Sequence, residues 1–175
     1  MKKVVLTFGL ISGAIMAVMM IGTAPFADKI GFDKGEILGY TIIILSALLI
    51  FFGIRSYREN VSGGRLTFGR GFTVGMLIAL ISSLCYVATW EVVYFKFMPD
   101  FTDKYVAYNI EKAKASGASP EKIDKAKQEG EHFKQMYSNP LVNVGLTFLE
   151  IFPISLVAAL ISAAFLRRKS VLQPV

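Results

Sequence analysis

A single carboxylate stands inside a long apolar run near the end of the sequence. Glu150 lies between Leu141 and Leu166, and Pro153 follows it three residues later. Apolar runs of about 20 residues are typical of helices that cross a lipid bilayer. A carboxyl group in that setting favours its neutral form, and it can bind protons or cations. Pro153 cannot donate the backbone hydrogen bond that the carbonyl of Leu149 would accept in a regular helix.

Hydroxyl groups on two other apolar runs lie at a similar depth. Ser46 lies about nine residues into the second run, and Ser82 and Ser83 lie about nine residues before the end of the third. All three hydroxyls are therefore roughly 14 Å from the same end of the helices as Glu150. We expect Glu150 to face the bundle interior and to hydrogen-bond to these serines, beside the carbonyl that Pro153 leaves free.

Two interpretations of this polar layer stay open. In the first, which the sequence favours, Glu150 is a neutral acid that fixes the register between helices. In the second, it is a proton or cation site in a transport path. Four helices leave little room for a pore, so we expect transport to require an oligomer. A dry, filled bundle would favour the first interpretation, and a cavity that reaches Glu150 from one face would favour the second.

No enzyme constellation accompanies these residues in the sequence. His132 is the one histidine, and it stands in a charged segment beside Glu129 and Glu131, as an exposed histidine does. The glycines at 69, 71 and 75 do not have the spacing of a nucleotide-binding loop. Cys85 lies alone in an apolar run, where a thiol behaves as a small hydrophobe. We predict no enzymatic activity, no cofactor and no metal site.

Four apolar runs are the elements that position these groups. Hydrophobic residues make up 54% of the 175 residues and charged residues only 18%, against about 25% charged residues in a soluble domain. The first run is longer than the ~7–15-residue core of a signal peptide, so we expect it to be retained as a helix. The runs predict one integral membrane domain over 1–175, with helices at about 4–25, 37–54, 71–95 and 141–166.

Small residues recur at helical spacing in two of these runs. Gly9 and Gly13 are four residues apart in the first run, and Gly71 and Gly75 are four residues apart at the start of the third. Such pairs allow two membrane helices to approach closely. We predict that both pairs lie at helix–helix contacts.

The positive charge predicts the orientation of the chain. The formal net charge is +6, but the arginines fall in Arg55–Arg70 and Arg167–Arg168, directly beside apolar runs. Charge in those places is typical of cytoplasmic loops rather than of nucleic-acid binding. Lys2 and Lys3 add charge on the same side. We therefore predict that both termini are cytoplasmic and that no nucleic acid is bound.

The charged excursion over 96–140 is predicted to be extracytoplasmic and helical. It contains eight lysines and seven acids, which nearly cancel. Ser119, Pro120 and Glu121 have the pattern of a helix start, and apolar or small residues recur every three or four positions from Ile123 to Tyr137. The pattern predicts a helical hairpin between the third and fourth spans. It is either a solvated pair packed on itself or the membrane, or an element that docks a partner.

The arrangement of these motifs resembles a known bacterial family. The resemblance rests on the stretch Leu66–Phe72 before the third run, the long charged third connection, and Glu150-Ile151-Phe152-Pro153 ahead of a basic end. These features are similar to a family of small membrane proteins of unknown function, common in Bacteroidota, over nearly the whole chain. The resemblance implies a four-helix membrane fold in the bacterial inner membrane, and it implies no activity.

Taken together, the sequence predicts an all-α, four-transmembrane-helix bundle with an extracytoplasmic helical hairpin between helices 3 and 4. The function we expect first is that of a structural or interaction protein whose hairpin docks a partner. The alternative is a small transporter or channel subunit that uses Glu150 as a proton or cation site. The expected partners are the lipid bilayer and either another protein or a second copy of the chain.

Overall fold

The computed structural model of the chain describes residues 1–168 and is helical almost throughout. Within these residues there is no strand, and 88% of the structure is helix, which confirms the all-α class. Short 3₁₀ and π-helical segments extend the first and fourth helices, over Ala24–Phe26 and Val93–Phe97. The helices are α1 (Lys2–Thr23), α2 (Ala27–Ile30), α3 (Phe32–Asn60), α4 (Phe68–Val92), α5 (Phe101–Ala115), α6 (Pro120–Tyr137) and α7 (Pro140–Leu166). Residues 169–175, which begin with Lys169 directly after the basic pair Arg167–Arg168, lie outside the described residues.

Four helical segments within the described residues are long and apolar enough to cross a membrane. They are Lys2–Ile30, Phe32–Asn60, Phe68–Phe97 and Pro140–Leu166. Each is at least 27 residues long, and a helix of about 20 residues already covers the hydrocarbon core of a bilayer. The four predicted apolar helices are therefore confirmed, and they fit an integral membrane protein.

The first connection differs from the loop that its polar composition predicts. Residues 26–36 are helical on both sides of a single break at Gly31, whose φ of 74° suits glycine. The next helix begins at once at Phe32, with Asp33 in its first turn, where a negative charge favours the helix dipole. Because one glycine is enough to reverse the chain, α3 begins well before the apolar run that starts at Ile37.

The helices α4 and α7 approach closely at two glycines. A Cβ atom placed on Gly75 would lie 2.9 Å from Cβ of Ala159, and one on Gly71 would lie 3.3 Å from Cβ of Ala163. In real structures a Cβ atom essentially never lies within 3.0 Å of a heavy atom to which it is not covalently linked through its own chain segment. The contact between α4 and α7 at Gly75 therefore has no room for any side chain.

The helices α1 and α4 meet in the same way. A Cβ atom on Gly9 would lie 2.9 Å from Cβ of Ile81, and one on Gly13 would lie 2.5 Å from Cβ of Cys85. Both glycines are buried. The structure thus places both glycine pairs that the sequence singles out at contacts made by α4.

The main apolar core lies in one half of the bundle. We call this the terminal half, because it holds the start of α1, the end of α3, the start of α4 and the end of α7. Its central side chains are almost fully buried: Ile50, Ile54, Val74, Ile78 and Ala159. The opposite half, on the side of α5 and α6, is called the α5–α6 half below.

The helices α5 and α6 pack on each other beside the ends of the spans. The chain turns at Gly117, which has a φ of 72°, and Ser119 Oγ accepts a hydrogen bond from the backbone N–H of Lys122 at 3.4 Å. Buried Gly130 of α6 lies directly against the side chain of Val106 of α5. The apolar stripe of α6 is therefore turned towards α5.

Candidate functional site

A groove of about 710 Å³ opens in the α5–α6 half of the bundle. The end of α1, α2 and the start of α3 form one wall, and the ends of α4 and α6, the start of α7 and helix α5 form the other. Met16 and Ile43 line its inner end, and together with Ile151 they form a small buried cluster. This cluster lies between the groove and the apolar core of the terminal half.

Glu150 lies in this groove, and so does Glu36. Both carboxylates belong to residues with exposed surface. Among residues 1–168, the ion pairs and side-chain hydrogen bonds of this region join other residues, and neither Glu36 nor Glu150 takes part in one. Glu36, Tyr40 and Ile43 follow one another at spacings of four and three, which puts them on one face of α3. The groove thus presents two acids without a cationic partner.

Two ion pairs join α5 to the first connection at the mouth of the groove. Lys104 Nζ lies 2.9 Å from Asp28 Oδ1, and Lys112 Nζ lies 2.7 Å from Asp33 Oδ1. The hydrogen bond to Asp28, and then that to Asp100, raises the pKa of Lys104 above its ordinary value of 10.5. The pKa of Lys112 is raised mainly by its hydrogen bond to Asp33. A raised lysine pKa stabilises each pair below pH 10.5 for as long as the carboxylate is ionised, so both contacts hold in the neutral range.

An aromatic cluster reinforces the same junction. The ring of Phe32, the first residue of α3, lies 5.8 Å from that of Phe101, 5.4 Å from Tyr105 and 5.2 Å from Tyr108, between centroids. Edge-to-face pairs at such distances are favourable beyond the area they bury. Helix α5 is therefore held over the start of α3 by apolar contacts as well as by charge.

A buried asparagine organises the opposite wall. Asn143 of α7 has no exposed surface, and its Oδ1 accepts hydrogen bonds from Trp90 Nε1 at 3.1 Å and from Thr147 Oγ1 at 3.2 Å. Its Nδ2 donates to the backbone carbonyl of Tyr137 at 3.3 Å. Three helices are thereby fixed at one point, because Trp90 is on α4 and Tyr137 ends α6. Sequence reasoning missed Asn143, although a lone amide inside an apolar run is itself a signal.

Tyr137 connects this wall to Glu150. Burial raises the pKa of the Tyr137 hydroxyl, and the negative charge of Glu150 adds to the rise. The tyrosine therefore stays protonated in the neutral range. Its ring also packs on Phe133, with 4.4 Å between centroids. The groove wall near Glu150 is consequently aromatic and neutral.

The predicted serines lie elsewhere in the bundle. Ser46, Ser82 and Ser83 are all buried, and their hydrogen bonds do not involve Glu150: Ser12 Oγ donates to the carbonyl of Ser46 at 3.2 Å, and Ser82 Oγ donates to that of Ala79 at 3.0 Å. The expected hydrogen bonds between Glu150 and the serine layer are thus absent from residues 1–168.

The reason is the rotation of α7 about its own axis. Its buried face follows Asn143, Thr147, Ile151 and Ser155 at intervals of four, and Glu150 stands about 100° away from Ile151 on the helix. Counting residues gives depth along a helix but does not give the direction in which a side chain points. Glu150 is therefore turned out of the packed interior and into the groove.

Pro153 is likewise not part of an interior site. It is exposed on the surface of α7, and Leu149, whose carbonyl it leaves without a backbone donor, has 66% of its surface exposed. Helix α7 continues through Pro153 to Leu166 without interruption. The proline and the serines therefore contribute nothing to the groove that contains Glu150.

Over residues 1–168 no group of three or more His, Cys, Asp and Glu side chains could hold a metal ion. His132 is exposed on α6. What the groove offers instead is a large apolar and aromatic surface with a few charged groups. This composition is typical of sites for small organic molecules.

The structure is all-helical, its four long apolar helices fit a membrane protein, and a groove lies beside α5 and α6. Residues 7–168 match the family described as "Protein of unknown function (DUF4199)". The chain belongs to this family, whose description states no activity. No curated protein and no solved structure matches the chain.

Proposed function

We propose that this protein is a multi-pass protein of the bacterial inner membrane that binds a small amphiphilic molecule in the groove. Both termini are cytoplasmic in this proposal, and the groove opens on the extracytoplasmic side. The orientation is supported by the arginines of 55–70 and 167–168 at the ends of the spans. The bacterial setting is supported by the family resemblance alone.

The observation that carries the proposal is the groove of about 710 Å³ that reaches Glu150. Sites for small organic molecules have volumes of about 300–1,000 Å³ and apolar walls with a few polar groups. A bundle whose only role is structural has no need of such a space, because its stability comes from close packing between helices. The groove therefore favours ligand binding over a purely structural role for Glu150.

The filled terminal half argues against a channel through a single copy. Ile54, Val74 and Ile78 have no exposed surface there, and with their neighbours they form one packed cluster on the side away from the groove. Binding at the groove could serve a transporter only if the terminal half opened or a second copy completed the path. We therefore propose binding, rather than conduction, as the activity of the fold described above.

The geometry gives less support to docking of a partner by α5 and α6. Docking on the apolar stripe of α6 would require an uncovered stripe, but Gly130 packs on Val106 and the ring of Phe133 lies 5.6 Å from that of Tyr105. The outward face of α6 is mostly charged and exposed. What remains for a partner is a charged surface, which is the ordinary exterior of a solvated helix.

Thiol labelling tests both the groove and its side of the membrane. In a Cys85→Ala background, which removes the one native cysteine, Gly39→Cys places a thiol on the groove wall. Ala79→Cys is the matched buried control, since Ala79 has no exposed surface. We expect a membrane-impermeant maleimide to modify Gly39→Cys from outside intact cells and to leave Ala79→Cys unmodified.

Two exposed positions calibrate the sidedness of that experiment. Ser116→Cys between α5 and α6 should react from outside, and Asn60→Cys at the end of α3 should react only after permeabilisation. Labelling of Asn60→Cys in intact cells would overturn the orientation. An unreactive thiol at Gly39→Cys, with Ser116→Cys labelled normally, would show that the groove is closed and would overturn the binding function.

A further inference from the structure

We propose that the groove selects an amphiphilic organic cation, that is, an amine or quaternary ammonium group carried on an apolar body. This inference rests on the proposed function and names the class of its ligand. It depends on three features of the groove: the balance of its charges, the aromatic groups near its free acids, and its size.

Acidic groups outnumber basic groups along the groove, and only some of the acids are in ion pairs. They comprise four carboxylates and two lysines: Asp28, Asp33, Glu36, Glu150, Lys104 and Lys112. Both lysines are held by aspartates at the mouth. The difference of two negative charges therefore belongs to Glu36 and Glu150, which face a space with an apolar wall. A cation is the ligand that such a space stabilises most, because an opposite charge favours the ionised form of an acid on an apolar wall and is attracted to it.

Aromatic rings lie on the same walls as the two free acids. Tyr40 follows Glu36 by one helical turn on α3, and Tyr86 and Trp90 lie one turn apart on α4. Tyr137 stands on the Glu150 side of the groove. The face of an aromatic ring attracts an ammonium group, and quaternary ammonium ions are commonly bound between several such faces.

The size and the donor set favour an organic cation over a metal ion. A space of about 710 Å³ greatly exceeds what one metal ion and its ligands fill. In the described part of the chain no three ligating side chains converge on a point. An ammonium group on an apolar body uses both the acids and the extensive apolar wall.

The single tryptophan of the chain provides the reporter for a test. Trp90 lines the groove and is anchored by Asn143, so a bound molecule should change its fluorescence. We would titrate the full chain in nanodiscs with benzyltrimethylammonium, benzyl alcohol and phenylmethanesulfonate, which share one apolar body and differ in charge. The expected result is a saturable change with the cation at a concentration at least about tenfold lower than with the other two.

Charge-neutralising variants locate the effect. Glu150→Gln and Glu36→Gln should each weaken binding of the cation by about tenfold or more, since each removes one attracting charge from a low-dielectric wall. Glu111→Gln is the matched control, because Glu111 is an exposed acid of α5 that does not line the groove. If Glu150→Gln does not fold, Tyr40→Leu takes its place. Loss of one aromatic face should weaken binding of the cation by roughly threefold or more.

The outcomes separate this inference from the function on which it rests. Equal binding of the three benzyl compounds, or unchanged binding in both glutamine variants, overturns cation selection and leaves ligand binding in place. No saturable change with any compound also overturns cation selection, and the thiol at Gly39→Cys then decides the binding function independently. Cation binding that is lost in both Glu150→Gln and Glu36→Gln, but kept in Glu111→Gln, supports the inference.

Discussion

Glycines on the spans have opposite surroundings at the tight contacts of the terminal half and beside the groove. In the terminal half, a Cβ atom on Gly75 would lie 2.8 Å from Cδ1 of Ile54, and the neighbouring helices touch where a side chain would be. In the α5–α6 half, a Cβ atom on Gly35 or Gly39 would meet nothing within 4 Å. Gly75 therefore brings helices together in the terminal half, whereas Gly35 and Gly39 leave space on the groove side of α3.

This difference shows how a short bundle can be both stable and open. Membrane helices gain stability mainly from close packing, because lipid is as apolar as their side chains. The packing is concentrated where α4 meets α1 and α7, and the groove lies where the helices are held by α5, the aromatic cluster and Asn143. Close packing and the groove thereby lie at different ends of the same helices.

The largest change in stability is expected when a large side chain is added at a tight glycine contact of the terminal half. Gly75→Leu should destabilise the bundle by about 3 kcal/mol or more, because the added atoms overlap Ala159 and Ile54. Unfolding by SDS in mixed micelles, followed by the fluorescence of Trp90, measures this change. The matched variant is Gly39→Leu in the open half, and equal losses in the two variants would contradict the comparison.

A moderate effect is expected at the wall of the open half. Asn143→Leu removes the acceptor of Trp90 and Thr147, and side-chain hydrogen bonds between membrane helices contribute about 0.6 kcal/mol on average and up to about 1.7 kcal/mol. We expect a loss of about 1–2 kcal/mol on that basis, with a shift in the fluorescence of Trp90. A double-mutant cycle with Trp90→Phe, in which unfolding is monitored by circular dichroism, gives the coupling energy between Asn143 and Trp90. A coupling energy of zero would show that the asparagine does not fix the wall.

A small effect of opposite sign is expected from the open glycines. Gly39→Ala should stabilise the protein by up to about 1 kcal/mol, because alanine is the better helix former and its methyl group meets nothing here. The same substitution at Gly75 should destabilise. Measuring both variants side by side in the SDS assay gives the sharpest form of the comparison, and two changes of the same sign would refute it.

The smallest change in stability is expected at the mouth of the groove. Lys112→Gln breaks an exposed ion pair, and such pairs contribute little to folding. The labelling rate of Gly39→Cys should nevertheless rise, because α5 is less firmly held over the groove. Lys125→Gln on α6 is the control, since its ion-pair partner is Glu129 on the same helix. High salt should reproduce the effect of Lys112→Gln if charge is responsible.

The sequence predicts the helices well and the groove poorly. The four apolar runs determine where the spans lie, because a helix satisfies its backbone hydrogen bonds within a single segment. The groove depends on how each helix is rotated about its own axis and on the spaces left between helices. The spacing of apolar residues along the sequence does not determine either. Residue counting predicts Glu150 among serines at its own depth, but Glu150 lies about a quarter-turn away from the buried face of α7. Helix α3 begins at Phe32 because Gly31 alone makes the turn, which a polar stretch does not reveal.

The position of α7 has a consequence for how the protein is made. This helix packs against both α3 and α4, and beyond its end the backbone of Arg168 pairs with that of Leu66 between those two helices. Of the four spans it is also the last to leave the ribosome. Until it arrives, Gly75 and Gly71 of α4 lack their contacts with Ala159 and Ala163, and the groove lacks the wall that carries Glu150. Biosynthesis therefore completes the tight half and the open half in a single late step.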